Sequence, residues 1–220
     1  MLLDILNGGY DWSDLLVAIV CYVVLILVML PIHELAHAWV AVKLGDYTPR
    51  WHGRLTFNPF AHLDLIGTAM LVICGFGYAK PVPVNPRNFR NPRRDMALVA
   101  LAGPVSNLLM AAVVLLLLRV SVFIFPVWSP LAVSIVSLLV NIFVQINIGL
   151  AVFNLLPIPP LDGSRIFSAV LPPRLSFWMA QNEQQIRLFL FILLATGALS
   201  RPLSILSGFV TDILWKVCGF

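Results

Sequence analysis

The stretch Val28-Met-Leu-Pro-Ile-His-Glu-Leu-Ala-His-Ala-Trp-Val40 constrains this chain more than any other. It sets the pattern His33-Glu34-x-x-His37 inside an otherwise apolar segment. On a helix, residues four apart leave the same face, so both imidazoles can grip one metal ion. Glu34, beside the first of them, is placed to take a proton from a water activated by that ion. The plainer alternative is two core histidines beside a chance glutamate. It fits poorly, because ionisable groups in a membrane-grade apolar segment are costly unless paired or coordinated.

The surroundings are membrane-grade. Of the 220 residues, 60% are apolar and only 11% charged, with a mean hydropathy of +0.94. No water-soluble domain of this size hides so much apolar surface. The expected fold is an all-α polytopic membrane protein with about five to six membrane-embedded helical segments. A short β or re-entrant region is expected between the first two long helices. The chain reads as one integral membrane domain over 1–220, with a core at 15–165 and C-terminal helices at 186–218. The net charge of +4 sits mostly in loops and so reports orientation, not nucleic-acid binding. Cys21, Cys74 and Cys218 are scattered and suggest neither a disulfide framework nor a cysteine metal cage. Met1 to Tyr10 lacks the basic start of a cleavable signal peptide and includes Asp4, so the first apolar run is expected to be retained as a span.

That run, Leu15 to Leu30, continues in helical pattern past Pro31 to about Val42, longer than a bilayer core of roughly 30 Å. Pro31 removes a backbone donor, which predicts a kink just before the motif. Lys43 to Leu63 is polar and turn-rich, and Arg54-Leu-Thr-Phe57 within it reads as a short strand. His52 and His62 read as solvated loop residues rather than ligands. Leu63 to Tyr78 is apolar but short, with basic residues on both flanks. Crossing would put basic loops on opposite sides, so a dip that returns to the same side is expected. Lys80-Pro-Val-Pro-Val-Asn-Pro86 is extended by its prolines. It reads either as an exposed edge able to hold an unwound peptide by strand addition or as a stiff connector.

Met96 to Val120 is the second clear span, opened by Ala102-Gly-Pro-Val-Ser-Asn107, whose small residues allow close helix contact. Asn107, an amide at membrane depth, wants a partner, either a neighbouring helix or a bound peptide backbone. Phe125 to Pro130 reads as a short external loop. Leu131 to Leu156 is the third span, and Asn141, Gln145, Asn147 and Asn154 mark a face turned to protein or water. It stops at Pro157-Ile-Pro-Pro160, followed by Leu161-Asp162-Gly163. Taken alone, Asp162 reads as a turn residue or helix cap; beside a two-histidine site lacking a third ligand, the metal role is the better reading. Leu188 to Ala198 and Leu203 to Val217 form a final apolar pair, either a hairpin or one span with an interfacial helix. Charge counting puts Lys43 to Arg94 on the cytoplasmic side. His33, ten residues before Lys43, and Asp162, at the end of an inward-running span, then fall on the same half.

These residues together resemble the site-2 proteases, the intramembrane zinc metalloproteases, and more closely their minimal bacterial or archaeal branch. The likeness rests on His33-Glu-Leu-Ala-His37, Ala102-Gly-Pro-Val-Ser-Asn107 and Asn154-Leu-Leu-Pro-Ile-Pro-Pro-Leu-Asp162-Gly163, with support from Gly53-Arg-Leu-Thr-Phe-Asn-Pro59 and Lys80–Pro86. The family's PDZ and CBS regulatory modules have no counterpart in these residues. The resemblance implies one Zn²⁺ held by His33, His37 and Asp162, Glu34 as general base and Asn154 steadying the oxyanion, with Asn107 a candidate substrate contact. It implies hydrolysis of peptide bonds within or next to transmembrane segments of protein or peptide substrates. The setting is the lipid bilayer of a prokaryotic cell membrane, with the active site towards the cytoplasm; no nucleic acid is involved, and homo-oligomerisation stays open. The competing reading is a membrane metal-binding protein or transporter using the same residues as a transit site. Against it, no internal repeat is visible.

Overall fold

The computed structural model describes residues 19–21, 23–74, 77–124 and 129–219. The beginning of the first apolar run, Gly75 and most of the Phe125–Pro130 loop lie outside the described residues. The chain forms two compact units, Met1–Asp95 and Met96–Phe220.

In the first unit a helical run covers Ile19–Lys43. It passes through a π turn at Leu25–Met29 into helix α1, Leu30–Lys43. Pro31 explains the widened turn. It has no N–H to give, and its ring crowds the carbonyl four residues back. The hydrogen bonding slips by one residue, with the Leu30 N–H reaching Leu25 O. The expected kink is therefore a π turn directly ahead of the motif. At its far end α1 is closed by Gly45, whose φ of +104° suits only glycine well. Asp46 N–H then reaches back to Ala41 O at 2.9 Å.

Asp46 is fully buried and gathers the loops that follow. Its carboxylate accepts from Thr48 N–H (3.1 Å), Thr48 Oγ1 (2.5 Å), Asn85 N–H (2.7 Å) and Asn88 Nδ2 (2.6 Å). The short helix α2, Thr48–Trp51, starts beside it. Two Asn-Pro pairs build identical 3₁₀ turns. Asn58 caps Pro59–Ala61 by accepting from Phe60 N–H, and Asn85 caps Pro86–Asn88 by accepting from Arg87 N–H.

No strand occurs among the described residues, so the β expectation for Arg54–Phe57 is corrected. Gly53 turns the chain at φ +67°, and Asn58-Pro59 turns it again. The four residues between join no ladder, and the chain bends at Leu55 and Thr56. Lys80–Asn85 likewise joins no sheet; its prolines restrict φ and Asn85 is extended.

Helix α3, Leu65–Cys74, has 10 residues, a length of about 15 Å and half of a bilayer core. Asp64 caps it through Gly67 N–H at 2.9 Å. The chain then comes back alongside its own beginning. A Cβ on Gly67 would overlap the Tyr78 carbonyl, and Lys80 N–H bonds His62 O at 2.8 Å. The two ends of the 63–78 segment therefore meet.

Helix α4, Pro92–Ile124, begins at the end of the first unit and runs through the second. Asn91 N–H closes its start on Asp95 at 3.1 Å. Helix α5, Pro130–Asn154, is capped by Ser129, whose hydroxyl accepts from Ala132 N–H. After it come α6 (Asp162–Ser168), α7 (Pro173–Gln181), α8 (Glu183–Ala195) and α9 (Ser200–Cys218). The unit's core is Ala111 and Leu115 of α4, Val144, Ile148 and Val152 of α5, and Cys218 of α9. Arg119 of α4 donates to the carbonyls of Cys218 and Gly219 and so closes the end of α9. Cys21 and Cys218 are free thiols.

Three helical stretches among the described residues are long and apolar enough to cross a membrane. The count becomes four if α8 and α9, bent at 84°, form one broken span. The expectation of five to six embedded segments is not reached by these spans, because α3 is half-length and α8 and α9 are each counted only as parts of one bent pair. The architecture is α-helical and multi-pass.

Asp46 supports a test of this loop scaffold. Burial alone would raise its pKa, but the bonds from Thr48, Asn85 and Asn88 outweigh that and hold it below the ordinary carboxylate value. A depressed folded pKa stabilises fully above the unfolded value of about 3.9, and that stability is lost as pH falls through the folded value. Asp46→Ala should cost about 1–3 kcal/mol by stranding buried donors. Thermal unfolding in detergent should show wild type and variant converging in strong acid and diverging above pH 4.

Candidate metal centre

His33 and His37 lie on one face of α1, 5% and 7% exposed. Their Nε2 atoms are 3.1 Å apart and their rings meet edge to face at 84°. Two nitrogen ligands on one tetrahedral ion with bonds of about 2.05 Å stand roughly 3.3 Å apart. The pair therefore already has the spacing of two ligands of one zinc-sized ion, and imidazole nitrogen suits zinc. Glu34 is half-buried on the adjoining position of the same turn. Further along, the Lys43 ammonium stands 5.4 Å from the Trp39 ring, an aromatic and cationic pair suited to a bilayer edge.

The second unit supplies the remaining candidates. Asn154 is the last residue of α5, half-buried, with Nδ2 donating to Leu150 O at 3.0 Å. After seven intervening residues, three prolines and four aliphatics, Asp162 is the first residue of α6. Leu161 holds the cap position, so Asp162 is not the helix cap that its sequence also allowed. Gly163 explains how the turn closes. It is buried, and a Cβ there would overlap the carbonyl oxygens of Leu155 and Leu156. Only a glycine lets the start of α6 press against the end of α5, which keeps Asp162 and Asn154 in one neighbourhood. The sequence signal for this packing role was the Asp-Gly pair, which read first as a turn.

Asn107 is fully buried within α4. The polar residues of α5 do not share a single face. Asn141 and Gln145 are exposed, Asn147 is fully buried with Nδ2 on Phe143 O, and Asn154 lies seven residues on from it. His52 and His62 are held by backbone carbonyls, Thr48 O of α2 and Thr56 O of the following bend, each at 2.9 Å, and neither joins the histidine pair.

Comparison with known proteins agrees with this picture. The model of peptidase family M50 matches residues 120–197, the part of the chain that carries Asn154 and Asp162. Curated relatives carry the name "Putative zinc metalloprotease". YwhC of Bacillus subtilis is 43% identical over 162 residues, covering 73% of this chain and 74% of its own length. Rip2 of Mycolicibacterium smegmatis is 33% identical, with 80% of this chain and 66% of that protein covered. MJ0611 of Methanocaldococcus jannaschii is 30% identical, with 61% and 62% covered. The chain thus spans just under two thirds of the last two. No solved structure matches it significantly. The chain belongs to peptidase family M50.

Gly163→Ala tests the packing that presents Asp162. The added methyl has no room, and overpacking of this kind costs about 1–3 kcal/mol. The variant should unfold at a lower temperature in detergent and retain less zinc than wild type. Unchanged values for both would show that the α5–α6 turn accommodates a side chain.

Proposed function

We propose that this protein is an intramembrane zinc endopeptidase, cutting peptide bonds within or beside transmembrane segments of membrane-protein substrates. The observation that carries the reading is the pair of buried imidazoles 3.1 Å apart, with Glu34 beside them, in an apolar helix long enough to span. In this reading His33, His37 and Asp162 hold the ion. Zinc, when bound, supplies a Lewis acid and lowers the pKa of water towards neutrality.

The chain's own residues do the rest. Glu34 accepts a proton from the attacking water and returns one to the departing amine. Asn154, with an amide hydrogen to spare beyond its bond to Leu150 O, donates to the developing oxyanion. Asn107 belongs with the substrate contacts. A helical peptide bond is shielded by its own hydrogen bonds, so the substrate must unwind locally. The extended Lys80–Asn85 segment offers an edge on which an unwound stretch can lie.

The half-length α3 and its meeting ends favour a re-entrant segment, which keeps the basic residues from Lys43 to Arg94 on one side. With that side cytoplasmic, His33 lies about 15 Å deep along α1 at the standard helix rise. The setting we infer is a prokaryotic plasma membrane.

Purified protein in detergent tests the assignment. Glu34→Gln should keep its zinc and lose about 10²–10⁴-fold in cleavage of a single-span reporter with helix-breaking residues. Asp162→Ala should lose both zinc and cleavage. A Glu34→Gln variant that still cuts would remove Glu34 as the base, and unchanged zinc in Asp162→Ala would return that aspartate to a turn-forming role. A transporter would instead tolerate Glu34→Ala.

A further inference from the structure

The Gly53–Pro59 stretch takes no part in the chemistry above, yet it holds the one buried Lys or Arg among the described residues. Arg54 is 4% exposed. Its Nη1 donates to Ala61 O at 2.8 Å and to Lys80 O at 3.0 Å, and its Nη2 to Pro81 O at 3.2 Å. One guanidinium thus ties together two segments far apart in sequence, at the point where Lys80 N–H also meets His62 O.

This knot sits against the motif helix. Ala61 closes the 3₁₀ turn Pro59–Ala61, which packs on the π turn Leu25–Met29 just before His33. Burial disfavours the guanidinium's charge and lowers its pKa, an effect that the attraction of Glu34 only partly offsets. Beyond the knot, the Lys80–Asn85 segment is pinned again where Asn85 N–H reaches Asp46. It is a strap fastened at both ends, with Pro81 and Pro83 keeping it extended.

Merely fastening a loop does not call for a buried charge. An apolar plug of similar volume does that at lower desolvation cost. A guanidinium offers what a plug does not, several donors in one rigid plane that dictate where each carbonyl must be. We propose that Arg54 is a positioning residue that holds the Lys80–Asn85 strap at a fixed place beside the motif helix, and that this placement governs the binding of an extended substrate. Hydrolysis itself stays with Glu34, and the inference rests on the peptidase reading above. Lysine is a poor replacement, because a single ammonium on a flexible stem does not fix three carbonyls in one plane.

The test uses the full chain in detergent, as wild type, Arg54→Lys and Arg54→Gln. It reads bound zinc, KM and kcat on the single-span reporter, and amide hydrogen exchange over residues 79–85. Both variants should keep their zinc and exchange faster across the strap. KM should rise about tenfold or more, as for loss of one hydrogen bond to a charged group, with kcat little changed. The lysine variant should recover part of the loss. An active wild type with variants unchanged in KM and exchange overturns the role of Arg54 alone. A fall in kcat at constant KM also overturns it, as do variants that lose zinc and fold together. Wild type that cuts nothing overturns the peptidase reading and takes this one with it, so the two failures are told apart.

Discussion

Two imidazoles and a carboxylate on a single turn of an apolar helix carry a desolvation cost, and much of this structure can be understood as the surroundings that make it bearable. The histidines face each other at the spacing of two ligands, so a shared ion would offset the cost for both. Glu34 has a guanidinium within electrostatic reach. Pro31 widens the turn ahead of them, and the loop turn Pro59–Ala61 seats itself there. The helix is thus distorted just ahead of the motif, where the loop turn packs on it.

The segment between α1 and α4 is built with its polar groups inside. Asp46, Arg54 and His62 are buried, whereas Trp51, Phe57 and Phe60 stand exposed. In water that inversion would be unfavourable. It suits a bilayer edge, where aromatics are favoured at headgroup level, and the buried charges bind carbonyls and amides instead of water. The two fasteners are complementary. Asp46 collects N–H and O–H donors and Arg54 collects C=O acceptors, so the two ends of the strap are held without belonging to any sheet.

The second unit solves a different problem, which is how to end a long helix and place a carboxylate straight afterwards. The prolines at 157, 159 and 160 stop α5, and Gly163 removes the side chain that would keep α6 away from it. Arg119 closes α9 from the side of α4, joining the last helix to the core of Ala111, Leu115, Val144 and Ile148.

By itself, the sequence determined the class. Long apolar runs mean membrane helices, and the spacing of His33 and His37 is a property of the helix period that needs no tertiary information. Pro31 announced a disturbed turn, and the glycines, Asn58 and prolines of Lys43–Leu63 announced a turn-rich stretch, because these are local consequences of side-chain and ring geometry. What only tertiary structure decided concerns partners distant in the chain. That Arg54–Phe57 is a bend and not a strand goes with the turns that Gly53 and Asn58-Pro59 place on either side of it. That Arg54 grips carbonyls up to 27 residues away, or that Gly163 marks a close approach and not merely a turn, depends on which backbones are brought together. Local pattern carries no record of those meetings, since hydrogen bonding to a distant carbonyl leaves a residue's own helix or strand preference unchanged.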